Sequence, residues 1–281
     1  MSNIKFLKPK SISEACKMLA DEKDSMIIAG GTDLIVKLRN GLFPELKAFV
    51  DISSLPLNEI RQDNGNLIIG SGCTMNMIVE NPVISKNFPA LCKAARTVGA
   101  LQIRNSATIG GNIANASPAG DTIPALMSLG AKIKIAGPDS SREVSIDDFF
   151  VGPGKTVLKN GELIESFIIP IKETRGEFLK LGERRAHAIS KINLALSIWK
   201  ETDNKYHCRI AMGSVGPKVI RVTEAEKFIE KTKFPLSDAD LEKVADMARE
   251  AATPIDDVRS SKAYRKQMAG VLIKRAIKAV K

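Results

Sequence analysis

Apolar positions change their period several times along the chain, and each change predicts a different element. Ser11-Ile12-Ser13-Glu14 opens a run in which Ile12, Ala15, Cys16 and Leu19 recur at helical spacing. The outer two residues of that tetrad have capping-box chemistry, a hydroxyl and a carboxylate that satisfy free amides at a helix start. Met26-Ile27-Ile28-Ala29 then reads as a short buried strand, cut off by Gly30-Gly31. Ala48-Phe49-Val50-Asp51 and Leu67-Ile68-Ile69-Gly70 are two more strands with turn residues around them. Residues 88–98 predict a helix begun at Pro89, a residue tolerated in a first helical turn. A polar, glycine-rich stretch occupies 104–121, and an apolar helix runs on to Leu129. Ala131-Lys132-Ile133-Lys134-Ile135 alternates as a half-exposed strand does, and residues 163–171 give another strand, closed by Pro170.

The pattern changes after the charged segment Lys172-Glu173-Thr174-Arg175-Gly176-Glu177. Three strand-like runs (178–181, 192–199 and 206–215) precede helical stretches at 224–231, 241–252 and 261–280. Strands followed by helices predict an α+β unit with helices on one face of a three-stranded antiparallel sheet. The expected organisation is therefore one domain over 1–175 and a second over 176–281, as the length of 281 residues suggests.

Composition narrows the classes. Hydrophobic residues make up 44% and charged residues 26%, ordinary values for a globular chain. The longest apolar run falls short of a membrane-spanning helix, and Met1-Ser2-Asn3-Ile4-Lys5-Phe6 does not open a secretory signal, so the cytoplasm is the expected compartment. The net charge of +10 raises nucleic-acid binding. Against it, the basic residues are interleaved with 32 acidic ones, and aromatic residues, the platforms for base stacking, are only 5%. A basic solvated surface facing acidic partner proteins is the simpler reading. Cys16, Cys73, Cys92 and Cys208 are far apart, so reduced buried thiols rather than a metal centre are expected. His187 and His207 sit in no metal or triad pattern and are given surface or structural roles.

Two segments carry candidate chemistry. Ile27-Ile28-Ala29-Gly30-Gly31-Thr32-Asp33-Leu34 runs from a strand through a glycine pair into a helical start. Consecutive amides at such a turn, with the Thr32 hydroxyl beside them, suit phosphate oxygens. Ala107-Thr108-Ile109-Gly110-Gly111-Asn112 repeats the strand-like run and glycine pair, with Asp121 following. Two such cradles could grip a diphosphate from both sides, whereas either alone reads equally well as a turn. Asp33 and Asp121 also read as helix-start residues. The standard fingerprints fail: Met75 stands where Gly70-Ser71-Gly72 would need a third glycine, and Phe149 where Gly154-Lys155-Thr156 would need an earlier one.

The two segments resemble the FAD-binding loops of the flavin (medium) subunits of molybdenum hydroxylases, a family that includes those of carbon monoxide, nicotinate and bacterial xanthine dehydrogenases. Further stretches agree: Pro89-Ala90-Leu91, Gln102-Ile103-Arg104-Asn105, Ser117-Pro118-Ala119-Gly120-Asp121 and Gly152-Pro153-Gly154-Lys155. Near the end, Pro254-Ile255-Asp256-Asp257-Val258-Arg259-Ser260-Ser261 and Tyr264-Arg265 are similar to the family's C-terminal signature. The resemblance implies an α+β fold, with a two-lobed FAD-binding domain of the vanillyl-alcohol-oxidase/molybdenum-hydroxylase type and a small C-terminal domain. It implies that Ile27, Ile28, Ala29, Gly30, Gly31, Thr32, Asp33 and Leu34 wrap the FAD diphosphate, and that Thr108, Ile109, Gly110, Gly111 and Asn112 complete the grip. Asp121 becomes an FAD contact, Ile164 packs on the isoalloxazine, and Lys180 lies near the ring. Val98 stands where some relatives place an aromatic, and Glu183-Arg184-Arg185 carries the arginine pair usual after this lysine.

What the resemblance implies for function is an electron relay. FAD would receive electrons from a [2Fe-2S] subunit and pass them to NAD+ or another acceptor, while a molybdopterin-binding large subunit hydroxylates the substrate. Such a chain needs no catalytic acid–base residues, since the cofactor carries the chemistry. Two alternatives stay open: a stand-alone flavin oxidase or reductase of the same superfold, and a basic nucleic-acid-binding protein.

Overall fold

The computed structural model describes residues 4–184, 186–201 and 205–280; Arg185 of the arginine pair and the opening Met1-Ser2-Asn3 lie outside the described residues. The first lobe is a small parallel sheet, β1 (Lys5–Leu7), β2 (Ser25–Ile28) and β3 (Ala48–Asp51), in the order β1-β3-β2. Helices α1 (Ile12–Asp21) and α2 (Leu34–Arg39) make the two crossovers. The Ser11 hydroxyl caps α1 as expected, accepting from the Glu14 amide, but the Glu14 carboxylate accepts from the Lys10 amide. β2 is half-buried along its whole length, not buried, because it is an edge strand whose apolar side chains pack only partly on the α1 core.

The second lobe is an antiparallel sheet, β4-β5-β10-β6-β7. It is built from β4 (Ile60–Asp63), β5 (Asn66–Gly70), β6 (Lys132–Ala136), β7 (Ser141–Ser145) and β10 (Leu163–Pro170). Between β5 and β6 the chain makes short helices α3 (Met75–Glu80), α4 (Pro82–Asn87), α5 (Pro89–Arg96), α6 (Leu101–Arg104), α7 (Ile109–Ala114) and α8 (Thr122–Ser128). A short helix α9 (Ile146–Phe149) and a two-stranded ribbon, β8 (Phe150–Gly152) and β9 (Lys155–Thr156), follow β7. The helix begins at Pro89 as its sequence predicts. The run expected to be strand-like before the second glycine pair forms a single antiparallel bridge, Thr108 to Thr74, and the chain then enters α7 at Ile109, so the glycine pair lies in the first turn of that helix. Thr108 caps that helix, its hydroxyl accepting from the Gly111 amide at 3.1 Å.

The C-terminal domain carries the three long antiparallel strands read from the sequence: β11 (Thr174–Leu181), β12 (Ile192–Lys200) and β13 (Tyr206–Gly213). A fourth strand, the two-residue β14 (Ile220–Arg221), extends the sheet. Helices α10 (Thr223–Lys231), α11 (Asp238–Ala251) and α12 (Lys262–Ala279) cover one face, where Leu194, Leu196, Ile210 and Met212 are buried. The opposite face presents Phe178, Ala195 and Ala211 to the main core of the first domain. Both faces of β12 are therefore covered, which explains its near-continuous apolar sequence.

Candidate functional site

The chain leaves β2 at Ile28 and turns through Gly30-Gly31 into α2, so this loop sits at the carboxyl end of a parallel strand, the usual place for a ligand in such sheets. No carbonyl oxygen among the described residues accepts from the amides of residues 30–34. A run of amides without acceptors is chemically suited to an anion. None of the α2 residues that follow is buried. Asp33, expected as a helix-start residue, makes no side-chain cap; it pairs with Lys37 at 2.7 Å, and Lys37 also donates to Asn115 at the end of α7.

The second glycine pair behaves differently. The amides of Ile109, Gly110, Gly111 and Asn112 already donate to Cys73 O, Ser71 O, Thr108 Oγ1 and Thr108 O. Its glycines serve close approach of backbone to backbone. A Cβ on Gly110 would lie 2.6 Å from Ser71 Cβ, and one on Gly30 would lie 1.8 Å from Ser106 O. Gly30 thus lets the first loop dock on the segment that leads into the second. Between them lies a cleft of about 360 Å³ lined by Gly30, Ser53, Asn58, Thr74, Ser106 and Thr108 among others. The neighbouring Cys73 thiol is pushed up to about 11 by burial, so it stays protonated at neutral pH and takes no part as a thiolate.

From α7 the site continues toward the C-terminal domain. Thr122 Oγ1 donates to Asn112 Oδ1 at 2.6 Å, which fixes the start of α8 against α7. Asp121 does not cap α8. Its carboxylate accepts instead from Lys180 at 2.5 Å, Ser190 Oγ at 2.7 Å and Asn193 Nδ2 at 3.0 Å. Lys180 does not point to solvent either: its ammonium also donates to Thr97 O at 3.1 Å, beside Val98, and the two charged side chains are only 12% and 7% exposed. This is a buried, charge-balanced group that spans both domains. Ile164 is buried in the main core next to a bulge in β10, where Glu165 O accepts from the Ser71 amide. His187 is exposed with φ +52°, and His207 stacks on Trp199 at 6.0 Å between Glu201 and Glu230.

Residues 2–172 match the family described as the FAD binding domain in molybdopterin dehydrogenase, and residues 177–280 match the CO dehydrogenase flavoprotein C-terminal domain. The chain belongs to this family. It is 32% identical over 274 residues to the xanthine dehydrogenase FAD-binding subunit of Escherichia coli O157:H7, covering 95% of this chain and 92% of that one. The glyceraldehyde dehydrogenase medium chain of Sulfolobus acidocaldarius is 31% identical over 98% of this chain and 97% of its own. Among solved structures, a chain of the reconstituted CO dehydrogenase from Oligotropha carboxidovorans superposes with TM-score 0.93 at 26% identity, covering 99% of this chain and 98% of that one. The protein is the FAD-binding, medium-chain type of subunit of a molybdenum hydroxylase, an oxidoreductase component. Its residues fit FAD on structural grounds as well. The amides of residues 30–34, without backbone acceptors, suit the oxygens of its diphosphate.

Several participants escape sequence reasoning. Ser71, read only as part of a failed dinucleotide fingerprint, supplies the backbone on which Gly110 rests. Ser190 and Asn193 hold Asp121 in place, and a signal for Asn193 was available: it is a polar residue inside an otherwise apolar strand.

Proposed function

We propose that this chain is the electron-transfer subunit of a multi-subunit molybdenum hydroxylase of the xanthine dehydrogenase kind. It receives electrons from a [2Fe-2S] subunit, passes them to NAD+ or another acceptor, and works in the cytoplasm beside a molybdopterin-binding large subunit. Bound FAD supplies the one- and two-electron chemistry that no side chain offers. In the chain's own terms, residues 1–175 bind the cofactor and residues 176–281 close over it. The amides in the segment Ile27 to Leu34 hold the diphosphate. Thr108, with its own amide free of any carbonyl, faces the same cleft, while Ile109, Gly110, Gly111 and Asn112 shape the wall behind it. Asp121, Ile164 and Lys180 stand at the ring, with Val98 alongside.

The observation that carries this reading is the run of amides at 30–34 without backbone acceptors, which begins at Gly30 on the wall of the cleft that Thr108 also lines. The test is an anaerobic titration of the whole enzyme. Substrate should bleach one FAD per copy of this chain, and an added acceptor such as NAD+ should restore the colour. A purified complex whose flavin never changes redox state during turnover would refute the relay.

A further inference from the structure

The helix after the first glycine loop is seated loosely, and the helix after the second is seated firmly. None of the α2 side chains is buried: Leu34, Ile35 and Leu38 are half-covered, and Val36 is exposed. In α7, by contrast, Ile109 and Ile113 are fully buried in the main core. The chain just beyond α7 is fixed as well. Ala116 is buried with φ +47°, and its carbonyl accepts from the Gly154 amide at 3.0 Å. A short helix with so little burial opens locally at small cost, and binding loops are drawn from such regions.

One side chain joins the two helices. Lys37, on α2, donates from its ammonium to Asn115 Oδ1, in the residue that ends α7. Among the described residues it makes the one side-chain hydrogen bond from α2 to the second lobe. Lys37 also pairs with Asp33 Oδ2 at 2.7 Å, four residues back. The two partners tie different things. Asp33 is part of the same piece of chain and its side chain is 56% exposed, so that pair travels with the helix and is worth little. Asn115 belongs to the fixed lobe. The amide run at 30–34 therefore lies between two attachments, Gly30 against Ser106 O and Lys37 on Asn115. No charged side chain lines the cleft among the described residues, so the aim of those amides decides how it holds an anion.

We propose that Lys37 is a latch, a positioning residue that keeps the 30–34 amides aimed into the cleft and sets how long FAD is retained. With Asn115 engaged, the amide run is suspended between two fixed points, and the ordering cost of binding is met in advance. With Lys37 resting on Asp33 alone, α2 keeps no side-chain hydrogen bond to the second lobe, and the amides lose their common aim. This rests on the reading that these amides hold the FAD diphosphate, and it adds the side chain that governs their grip. Arginine can make the same bond to Asn115; methionine, of similar length but without a donor, cannot.

The experiment uses the whole enzyme loaded with FAD, as wild type and as Lys37→Met, Asn115→Ala, the two combined, and Lys37→Arg. Release of FAD after dilution is followed by the rise of free-flavin fluorescence, with a thermal melt of the flavin-free enzyme beside it. Lys37→Met and Asn115→Ala should each speed release about tenfold, the worth of one hydrogen bond to a charged group. The combined variant should be no faster than either alone, because both changes remove the same contact. Lys37→Arg should stay close to the wild-type rate, and the flavin-free melts should coincide. Release at the wild-type rate in Lys37→Met, or effects that multiply in the combined variant, overturns the latch. So does a lowered flavin-free midpoint in the single variants, which would make the contact a plain structural one. Gly30→Ala separates the latch from the reading beneath it. If that variant keeps its flavin, the diphosphate is not held by this loop and both fall. If it loses flavin while Lys37→Met releases at the wild-type rate, the latch alone falls.

Discussion

At the scale of single residues, the site depends on atoms that are absent as much as on those present. Gly30 carries no side chain because Ser106 O occupies the place of a Cβ, at 1.8 Å from where one would be built. Gly30→Ala should separate the two loops, cost about 2–4 kcal/mol of stability and abolish FAD retention; flavin absorbance per chain and a thermal melt measure both. Charge balance matters next. Removing either member of the Asp121–Lys180 pair leaves the other buried and unpaired, at a cost of about 3–5 kcal/mol. Lys180→Met should therefore destabilise strongly and, on the proposed placement of Lys180 at the ring, lower the flavin midpoint potential. Lys180→Met/Asp121→Asn should recover most of the stability. An unchanged potential in Lys180→Met rules out a role at the ring. The sequence singled out both residues through the resemblance, but not that they bind each other. Their pairing is completed by Thr97 from one segment and by Ser190 and Asn193 from another.

Among elements, the short helices were the least legible, because four- to six-residue helices present less than two turns of periodicity. The second glycine segment shows the consequence. Thr108-Ile109-Gly110 alternates like a strand, yet the Thr108 hydroxyl and the Ser71 carbonyl take the amides that a strand would have offered to a neighbour. Connections between elements also carry charge. Arg142 on β7 grips Glu162 with two 2.8 Å hydrogen bonds, and this contact, ahead of any other cause, lowers the Glu162 carboxyl below its usual value. A depressed folded value means that its stabilisation is complete above the unfolded carboxylate range, about 4.3, and is lost as pH falls through the folded value. Glu162→Gln should lower the thermal midpoint by a constant amount between pH 7 and 5. The gap should close under more acidic conditions, as a pH series of melts would show.

For the whole molecule, the interface between domains is a core in its own right. Phe178, Ala195 and Ala211 are buried with the first domain's residues. Ser128 and Ser197 share a buried hydrogen bond, and Arg209 reaches across to Met127 O and Asp147. Interfaces of this apolar, interlocked kind couple the stability of what they join. Thermal unfolding should therefore be one transition followed equally by far-ultraviolet dichroism and by Trp199 fluorescence; two separated transitions would show the domains to be independent.

Local pattern determined the helix starts at Ser11 and Pro89, the long C-terminal strands and the two glycine segments, because each depends on residues a few positions apart. Tertiary structure alone decided which glycine segment keeps its amides open. It also decided that β12 is covered on both faces and that Asp121 answers to Lys180 instead of capping its own helix. Those outcomes are competitions for hydrogen-bond partners and for contact area among segments tens of residues apart. Which partner wins is fixed only when the folded chain brings all the competitors within reach.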